Sequence, residues 1–405
     1  MRHPPTEYQG CFANTGREDE KTLIFLKNMD EMEMVIPSWC RPFLKHFEID
    51  GPTGAGISGG RTSGMMHALT LAANPGANRK LRWLEFRPPE TWGDRPKDAR
   101  TVDITFETAH RGGQVFEDFL RTLAEFRAKT KDLGPVAPHA VSRLCTAHMK
   151  LHAIHRAIRQ QFNHEDYTYM VGLRADEPER VRKLLRQSTG VCELRCPLSD
   201  AGITKAMVFQ FWSEQPFDLE MEEPHGNCSL CFLKDEGDLA MIMLEDEEEA
   251  REWIDLQDRY GDFRRGSTSM RTIFAEARIR MQVIRPAVLA YEIPDMPSDY
   301  VVDPTWLAQA KDEAECAYQR RLFAWEEKRL MGEPDLPKPK PGAALHRSDE
   351  QWRRYRWSLL VKQEQRYARE GRKAFSCACE SVQLDAAMDE DDGPQLRLPF
   401  LRGAA

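Results

Sequence analysis

The chain has 405 residues, 41% of them hydrophobic, which is enough for two or three domains with buried cores. Its net charge of −8 excludes a uniformly basic nucleic-acid-binding protein, although a local basic surface is still compatible with it. No apolar run approaches the ~20 residues of a membrane span, and the first residues lack the apolar segment of a signal peptide. We therefore expect a cytoplasmic protein with no membrane partner. Its ten cysteines are then suited to metal or redox roles rather than to disulfides.

The first part of the chain alternates between strand-like and helix-like patterns. Tyr8–Ala13 is typical of a short buried strand, 14–18 of a turn, and 20–34 of an amphipathic helix. Between 58 and 240 the alternation continues, with predicted strands at 81–86 and 169–173 and predicted helices at 64–73, 114–129 and 147–162. This order predicts an α/β fold with a doubly wound parallel sheet.

Beyond residue 245 the pattern becomes helical and highly charged. We predict a nucleotide-binding α/β domain over 1–245, a helical accessory segment over 246–300, and a charged helical C-terminal extension over 301–405 with a disordered acidic tail. The predicted helices of these two segments cover residues 246–260, 269–282, 304–331 and 348–374.

A glycine-rich loop stands between a predicted strand and a predicted helix. It comprises Ser58, Gly59, Gly60, Arg61, Thr62, Ser63 and Gly64. Small residues allow several backbone N–H groups to face one anion, the hydroxyl groups add donors, and the following helix directs its positive end to the same place. The loop lacks the spacing of the common P-loop, and a flexible glycine turn is the alternative.

Two further segments follow predicted strands. Asn14, Thr15, Gly16 and Glu18 belong to the first. Since ligands bind at the carboxyl ends of strands in open α/β sheets, we expect this turn to contribute to the same site. The second contains Arg174, which can bind an oxyanion through paired hydrogen bonds, and Asp176, which can hold Mg²⁺ or orient an arginine. An ordinary capped turn and a salt-bridged surface loop are the respective alternatives.

The cysteines suggest a metal or redox site. Cys228 and Cys231 form a Cys-x-x-Cys pair, and Cys145 opens the segment CTAHMK at a predicted helix start, where a thiolate is favoured. Cys192 and Cys196 lie between them in the chain. This pattern favours an iron–sulfur site, with zinc and then a reducible dithiol as alternatives. His148, His152 and His155, which share a helical face, are interpreted as surface or satisfied histidines.

Residues 347–373 contain nine Lys or Arg residues against four acids, interleaved with Trp352, Tyr355, Trp357 and Tyr367. Such a helix can bind a phosphate backbone and stack bases. The alternative, which we prefer, is a solvated helix whose aromatic side chains pack on the protein.

Taken together, six motifs between about residues 11 and 245 resemble the phosphoadenosine phosphosulfate reductase family of the PP-loop ATP pyrophosphatases, in particular its phage and bacterial branch. They are NTGRE, SGGRTSG, CTAHMK, GLRADEPER, PLSDAGITKAMVFQFWSEQPFDL and HGNCSLCFLK. The resemblance implies an adenine nucleotide alpha hydrolase-like fold and an adenine nucleotide, ATP or phosphoadenosine phosphosulfate or adenosine phosphosulfate, in the 58–64 loop. It further implies Mg²⁺, sulfur chemistry, and an iron–sulfur cluster on Cys145, Cys228 and Cys231, with Cys196 or Cys192 as the fourth ligand, of which we prefer Cys196.

Two departures from the family pattern limit what the resemblance implies. NTGRE precedes SGGRTSG here, whereas the family has the reverse order, so the first strand–helix unit is transposed. We also find no ECGxH-like tail, the nucleophile motif of the true reductases. We nevertheless expect the 14–18 turn to lie beside the 58–64 loop, because packing does not depend on chain order.

The preferred hypothesis is an enzyme that activates a substrate oxygen with ATP, releases pyrophosphate, and then replaces that oxygen with sulfur. Arg61, Lys150, Arg174 and Asp176 are the candidate catalytic residues. The acceptor would be tRNA or DNA, and a cysteine desulfurase or a thioredoxin-like protein would be the donor partner. The alternatives are reduction of phosphoadenosine or adenosine phosphosulfate to sulfite, with Cys377 or Cys379 as the nucleophile, and a non-catalytic nucleotide-binding scaffold.

Overall fold

The computed structural model describes residues 8–89, 100–131, 133–163, 166–188, 192–221, 225–226, 228–264, 268–330, 337–341 and 343–369. Within this part the chain divides into two compact units. The first contains the described residues up to Pro138 and from Ser142 to Ser229, and the second contains His139–Val141 and the described residues from Leu230 onwards. Cys377, Cys379 and the predicted acidic tail lie outside the described residues. In the described ranges, no helix combines the length and the apolar character that crossing a bilayer requires.

The first unit is built on a six-stranded sheet with the strand order β4-β3-β1-β2-β5-β6. All neighbouring strands run parallel except β3 and β4, which are antiparallel. The strands are β1 (Tyr8–Asn14), β2 (Thr53–Gly56), β3 (Arg82–Arg87), β4 (Arg100–Ile104), β5 (Tyr167–Met170) and β6 (Cys192–Arg195). The predicted α/β class with a mainly parallel sheet is therefore confirmed.

Helices alternate with these strands. They are α1 (Glu20–Glu31), α2 (Arg61–Ala73), α3 (Gln114–Lys131), α4 (His152–Phe162), α5 (Pro178–Leu185), α6 (Pro197–Asp200) and α7 (Lys205–Ser213). A 3₁₀ segment, Ser38–Phe47, leads towards β2, and a π-helical turn, Thr146–Leu151, precedes α4. The predicted helices therefore exist, and α1 ends three residues before the predicted position at 34.

Both faces of the sheet are covered, as the alternation of β1 side chains requires. Tyr8 and Phe12 pack in one apolar cluster with α1, α2 and α7. Cys11 and Ala13 pack in a second cluster with α4. An added Cβ at Gly54 would lie 2.0 Å from Ile158 of α4, so β2 and this helix are in close contact. The parallel strands are buried on both sides, which is why their sequences read as short apolar runs.

Two connections on the same face of the sheet run in opposite directions. The connection from β1 to β2 moves one strand towards β6, whereas the connection from β2 to β3 moves two strands towards β4. The helices of both connections, α1 and α2, pack in the same cluster. Such crossovers have opposite hands, so one of them departs from the right-handed crossover that is usual between parallel strands. The second of these connections passes β1, a strand that is already in the sheet, because β1 precedes β2 in the chain.

The second unit is helical. Its helices are α8 (Glu236–Glu245), α9 (Glu247–Tyr260), α10 (Met270–Ile279), α11 (Arg285–Leu289), α12 (Pro304–Leu330) and α13 (Asp349–Arg369). A π-helical segment, Arg280–Ile284, joins α10 to α11, and a 3₁₀ turn, Ala343–His346, precedes α13.

The unit boundary after Ser229 lies earlier than the boundary predicted after residue 245, because α8 belongs to the helical unit. The segments predicted as separate, 246–300 and 301–405, share one apolar cluster in which Ile284 and Tyr300 meet Trp357. They therefore form a single packed body rather than two.

Candidate functional site

The 58–64 loop lies where β2 ends and α2 begins, at the carboxyl edge of the sheet. Gly59 has a φ of +80°, a conformation that glycine adopts without strain. The Ser63 hydroxyl lies 3.0 Å from the Ser58 hydroxyl and accepts a hydrogen bond from the Ser58 N–H at 3.1 Å. No side chain caps α2, and in the described part of the chain the N–H groups of Gly59, Gly60, Thr62 and Ser63 have no hydrogen-bond acceptor. The loop therefore has the free donors that an anion requires.

Arg174 connects the end of β5 to this loop. Its Nη1 donates to Oγ1 of Thr62 at 3.4 Å, and its Nε donates to Oδ1 of Asp176 at 2.9 Å. Oδ2 of Asp176 accepts the Lys205 N–H at 3.1 Å. Burial opposes ionisation of Asp176, but these hydrogen bonds and the charge of Arg174 outweigh it and lower the pKa of the carboxyl. Asp176 thus orients Arg174, which is one of the two roles expected for it.

Arg61 has a partner of its own. Its guanidinium forms two hydrogen bonds of 2.7 Å with Asp218 and stacks on the ring of Phe209. Its side chain is 18% exposed. The structure therefore gives Arg61 a role in packing the start of α2, and a contact with phosphate would compete with this ion pair.

The 14–18 turn lies beside the 58–64 loop, as expected, because β1 and β2 are neighbours in the sheet. The Ile57 N–H donates to the Cys11 carbonyl at 2.8 Å, which carries the pairing to the start of the loop. Asn14 is fully buried, and its Nδ2 donates to Glu85 at 2.8 Å and to the His110 carbonyl at 2.9 Å. The Asn14 side chain therefore braces the edge of the sheet.

Glu18 is the acidic centre of this turn. Its carboxylate is buried and accepts hydrogen bonds of 2.8 Å from the Thr15 N–H and the Thr15 hydroxyl. Gly16, with a φ of +76°, allows the tight turn between Thr15 and Glu18. Nζ of Lys150, on the π-helical turn, lies 3.4 Å from Oε1 of Glu18. Two segments predicted separately, NTGRE and CTAHMK, thus meet in one ion pair.

Cys228 lies beside the same ion pair. It forms an isolated antiparallel β-bridge with Glu18, and the Ser229 N–H donates to the Arg17 carbonyl at 3.1 Å. Cys145 is in the first turn of the helix that contains Lys150. Burial disfavours the charged form of Lys150, but the negative charges of Glu18, Cys228 and Cys145 outweigh it and raise the pKa of the amine. Two of the four expected cysteines therefore share one lysine.

The remaining expected ligands have other surroundings. Cys196 is buried at the end of β6, where burial, followed by the charges of Asp200 and Glu177, raises its pKa to about 11. Cys231 belongs to the second unit. Among the residues that the structure describes, no three His, Cys, Asp or Glu side chains are grouped to hold a metal ion. The four-cysteine ligand set thus stays a prediction.

Two of the three histidines do not lie at the surface, where one of the two interpretations placed them. His152 and His155 are buried rather than exposed, and the ring of His155 lies 4.8 Å from that of Tyr169 on β5. His155 contacts the hydroxyl of Tyr167, which agrees with a satisfied histidine. The ring of His148 lies 4.7 Å from that of His152, and burial lowers the pKa of His148 to about 4.

Two residues of this edge were not predicted from the sequence. Glu85 on β3 is fully buried opposite Asn14, and it accepts hydrogen bonds from the His110 N–H at 3.0 Å and from the His110 ring at 2.9 Å. A signal for Glu85 was present, because an acid inside the apolar run Trp83–Phe86 needs partners if it is buried. His110 follows a segment with no periodic pattern and gave no such signal.

The aromatic side chains of α13 pack inside the second unit. Trp352 and Trp357 are buried, and Tyr355 carries the guanidinium of Arg347 over its ring. Arg356 is paired with Glu276 through bonds of 3.1 and 2.8 Å. These two tryptophans are therefore not available to stack bases, which agrees with the preferred interpretation of this helix.

Comparison with known proteins gives one relative. ORF290, a nin-region protein of Escherichia phage lambda described as uncharacterized, is 26% identical to the chain over 209 residues, which cover 47% of this chain and 69% of the phage protein. No family model matches the chain, and no solved structure matches it. The site is therefore interpreted from its own geometry and from the motifs.

Proposed function

We propose that the protein is a cytoplasmic, adenine-nucleotide-dependent sulfur-transfer enzyme similar to the PP-loop enzymes of the phosphoadenosine phosphosulfate reductase family. The observation that carries this proposal is the placement of two kinds of group at one edge of the sheet. Free amide donors at Gly59–Ser63 lie after β2, and the Glu18–Lys150 pair with Cys145 and Cys228 lies after the neighbouring β1. The groups that would bind an anion and the thiols that would handle sulfur thus lie side by side.

The loop would hold the phosphates of ATP. The positive end of α2 and the unpaired N–H groups favour negative charge, and the Ser58 and Thr62 hydroxyls add donors. Arg174 already contacts Thr62 and is oriented by Asp176, so it can stabilise negative charge that develops on the phosphates. In this proposal Arg174 takes the role that the sequence suggested for Arg61.

The thiols would handle the sulfur. A cation next to a cysteine favours the thiolate, which is the nucleophilic form. Lys150 supplies that cation to Cys145 and Cys228, and the buried carboxylate of Glu18 keeps the amine charged and in place. With a cysteine desulfurase as the source, one of these thiolates would carry the sulfur as a persulfide, whose outer sulfur would displace AMP from the adenylated substrate. The other thiolate would then free the thiolated substrate by forming a disulfide with the first cysteine, and a thioredoxin-like protein would reduce that disulfide.

The expected cofactors fit the described residues only in part. Cys145 and Cys228 are partly exposed thiols with one shared neighbour, as cluster ligands would be, but no third ligand among the described residues is grouped with them. The carboxylate of Asp176 is engaged by Arg174 and Lys205, so it would have to exchange these partners to bind Mg²⁺.

Reduction of phosphoadenosine or adenosine phosphosulfate is the second candidate. Its nucleophiles, Cys377 and Cys379, lie outside the described residues. Cys145 and Cys228, by contrast, are partly exposed thiols beside a lysine and can take part in sulfur transfer. For this reason we place ATP-dependent sulfur transfer first.

The test begins with anaerobic purification, an absorbance spectrum, and iron and zinc counts. Pyrophosphate release from ATP is then measured with sulfide or a cysteine desulfurase as donor and with tRNA or DNA as acceptor. Cys228→Ser should abolish sulfur incorporation, whereas Cys316→Ser, on an exposed position of α12, should not. Release of sulfite from phosphoadenosine phosphosulfate with thioredoxin, and no pyrophosphate from ATP, would select the reductase instead.

A further inference from the structure

A carboxylate–imidazole pair stands at the end of β3. Oε1 of Glu85 lies 2.9 Å from Nδ1 of His110, and Oε2 accepts the His110 N–H at 3.0 Å. Asn14 donates to Oε2 at 2.8 Å, and Arg87 donates to Oε1. The side chain of Glu85 is fully buried, whereas that of His110 is 46% exposed. One end of the imidazole is thus fixed in the protein and the other is open.

Three other donors around Glu85 determine the form of the imidazole. A carboxyl group that accepts hydrogen bonds from Asn14, Arg87 and the His110 backbone is an ionised acceptor, so Nδ1 of His110 must donate. The Arg87 Nη2, at 3.4 Å from Nδ1, is the more distant contact. A neutral His110 therefore carries its lone pair on Nε2. Within the described part of the chain, Nε2 has no hydrogen-bond partner.

This lone pair lies at the same edge as the nucleotide loop. Glu85 is paired in register with Asn14 of β1, and β1 is the neighbour of β2, which leads into Ser58. Two strand spacings, about 10 Å, separate the end of β3 from the end of β2. The Asn14 side chain holds the His110 carbonyl at 2.9 Å, which fixes the backbone as well as the ring.

We propose that His110 is the proton acceptor of this site and that Glu85 is the residue that positions it. The proposal rests on the proposed function, since it deepens the adenylation step. The substrate oxygen forms a bond to the α-phosphorus of ATP, the bond from that phosphorus to the bridging oxygen breaks, and pyrophosphate leaves. The proton that the substrate loses goes to Nε2 of His110, and the imidazolium that forms is stabilised by Glu85.

His110→Asn distinguishes the roles of the two ring nitrogens, because asparagine retains a donor for Glu85 but has no equivalent of Nε2. Pyrophosphate release should fall by about 10²- to 10⁴-fold, with an unchanged Kd for ATP measured by calorimetry. Glu85 and Arg87 are the charged groups that contact the ring. His46→Asn, at a half-buried histidine of the 3₁₀ segment, is the matched control.

A second measurement does not depend on turnover. Diethyl pyrocarbonate acylates accessible neutral imidazoles, so mass spectrometry should find His110 modified and Mg-ATP should slow this modification at least tenfold. Turnover of His110→Asn within about threefold of wild type would overturn the proposal. If the wild type releases no pyrophosphate, the proposed function fails. The effect of Mg-ATP on the modification of His110 then tests separately whether this residue lies at the ligand site. Protection by ATP then supports a base at the ligand site, and no protection overturns it.

Discussion

Nζ of Lys150 lies 3.4 Å from Oε1 of Glu18, although 132 residues separate them in the chain. Glu18 is buried, and the lysine side chain is 30% exposed. The contact fixes the π-helical turn of CTAHMK against the turn that ends β1. Since π-helical turns are frequent at functional sites, this pair marks the part of the sheet edge where we expect chemistry.

Lys150→Met should make Cys145 and Cys228 less reactive, because the cation that favours their thiolates is lost. Loss of the partner of a buried carboxylate should also destabilise the first unit by about 1–3 kcal/mol, given that the pair is partly solvated. The measurement is the rate of iodoacetamide alkylation at each cysteine at pH 7.5, resolved by mass spectrometry. Cys316, exposed on α12, is the internal control. Equal rates at Cys145 and Cys228 in the variant and the wild type would contradict the assignment.

Arg174→Met should weaken ATP binding by about tenfold or more, equivalent to about 1.4 kcal/mol, because the residue reaches Thr62 of the loop. Arg61→Met should change the Kd by less than about threefold, because its guanidinium is committed to Asp218. Calorimetric titrations of the two variants against wild type give the comparison. A larger loss in Arg61→Met would return the phosphate-binding role to Arg61.

Acid should destabilise the protein through its buried histidines. Burial lowers the pKa of His148 to about 4 from its ordinary 6.5, so between these values the unfolded chain binds a proton that the folded chain does not. The free energy of unfolding should therefore fall as the pH drops from about 6.5 to about 4. His67 and His155 contribute in the same direction.

His148→Phe should flatten this dependence, since a phenylalanine fits among the neighbouring rings and Nδ1 of His148 is buried without a hydrogen bond in the described residues. The change at pH 4 should be on the order of 3 kcal/mol. Urea denaturation at a series of pH values measures it, with His46→Phe as control. An unchanged slope in His148→Phe would mean that other groups cause the acid sensitivity.

Trp357→Ala should destabilise the second unit by about 3–5 kcal/mol, the usual cost of removing a buried aromatic side chain. Its ring packs on Tyr300 at 5.3 Å, and its Nε1 donates to the Pro294 carbonyl at 3.1 Å. Binding to RNA or DNA across a salt series should not change. Phe323→Ala, at a 70% exposed position of α12, should be neutral within about 0.5 kcal/mol. Lost nucleic-acid affinity in a still folded Trp357→Ala would revive the base-stacking interpretation.

The sequence predicted the strands, the helices and the two loops at the carboxyl edge, because each depends on local periodicity and on turn residues. It also predicted that the turn at Asn14 and the loop at Ser58 are neighbours despite their reversed order, since parallel strands end at one edge. It did not predict that Asp218 engages Arg61, because this contact joins residues 157 positions apart. Nor did it identify His110, whose role depends on Glu85 and on the backbone of a loop without a pattern.

The central claim is that the free N–H groups before and within the first turn of α2 hold nucleotide phosphate. Gly60 is the residue that precedes this helix, and its backbone, with a φ of −103°, has an extended conformation that does not require glycine. Gly60→Asp would place a favoured capping carboxylate on these N–H groups. It should therefore keep or slightly raise stability while it competes with phosphate. Gly51→Asp, where an added Cβ meets nothing within 4 Å, is the control.

The measurement is calorimetric titration of Mg-ATP into wild type, Gly60→Asp and Gly51→Asp, with thermal unfolding of each. We predict saturable binding by wild type and by Gly51→Asp, and affinity at least about 100-fold weaker, or 2.7 kcal/mol, in a Gly60→Asp protein that melts no lower. Absence of ATP binding by the wild type, or equal affinity in Gly60→Asp, would contradict the account.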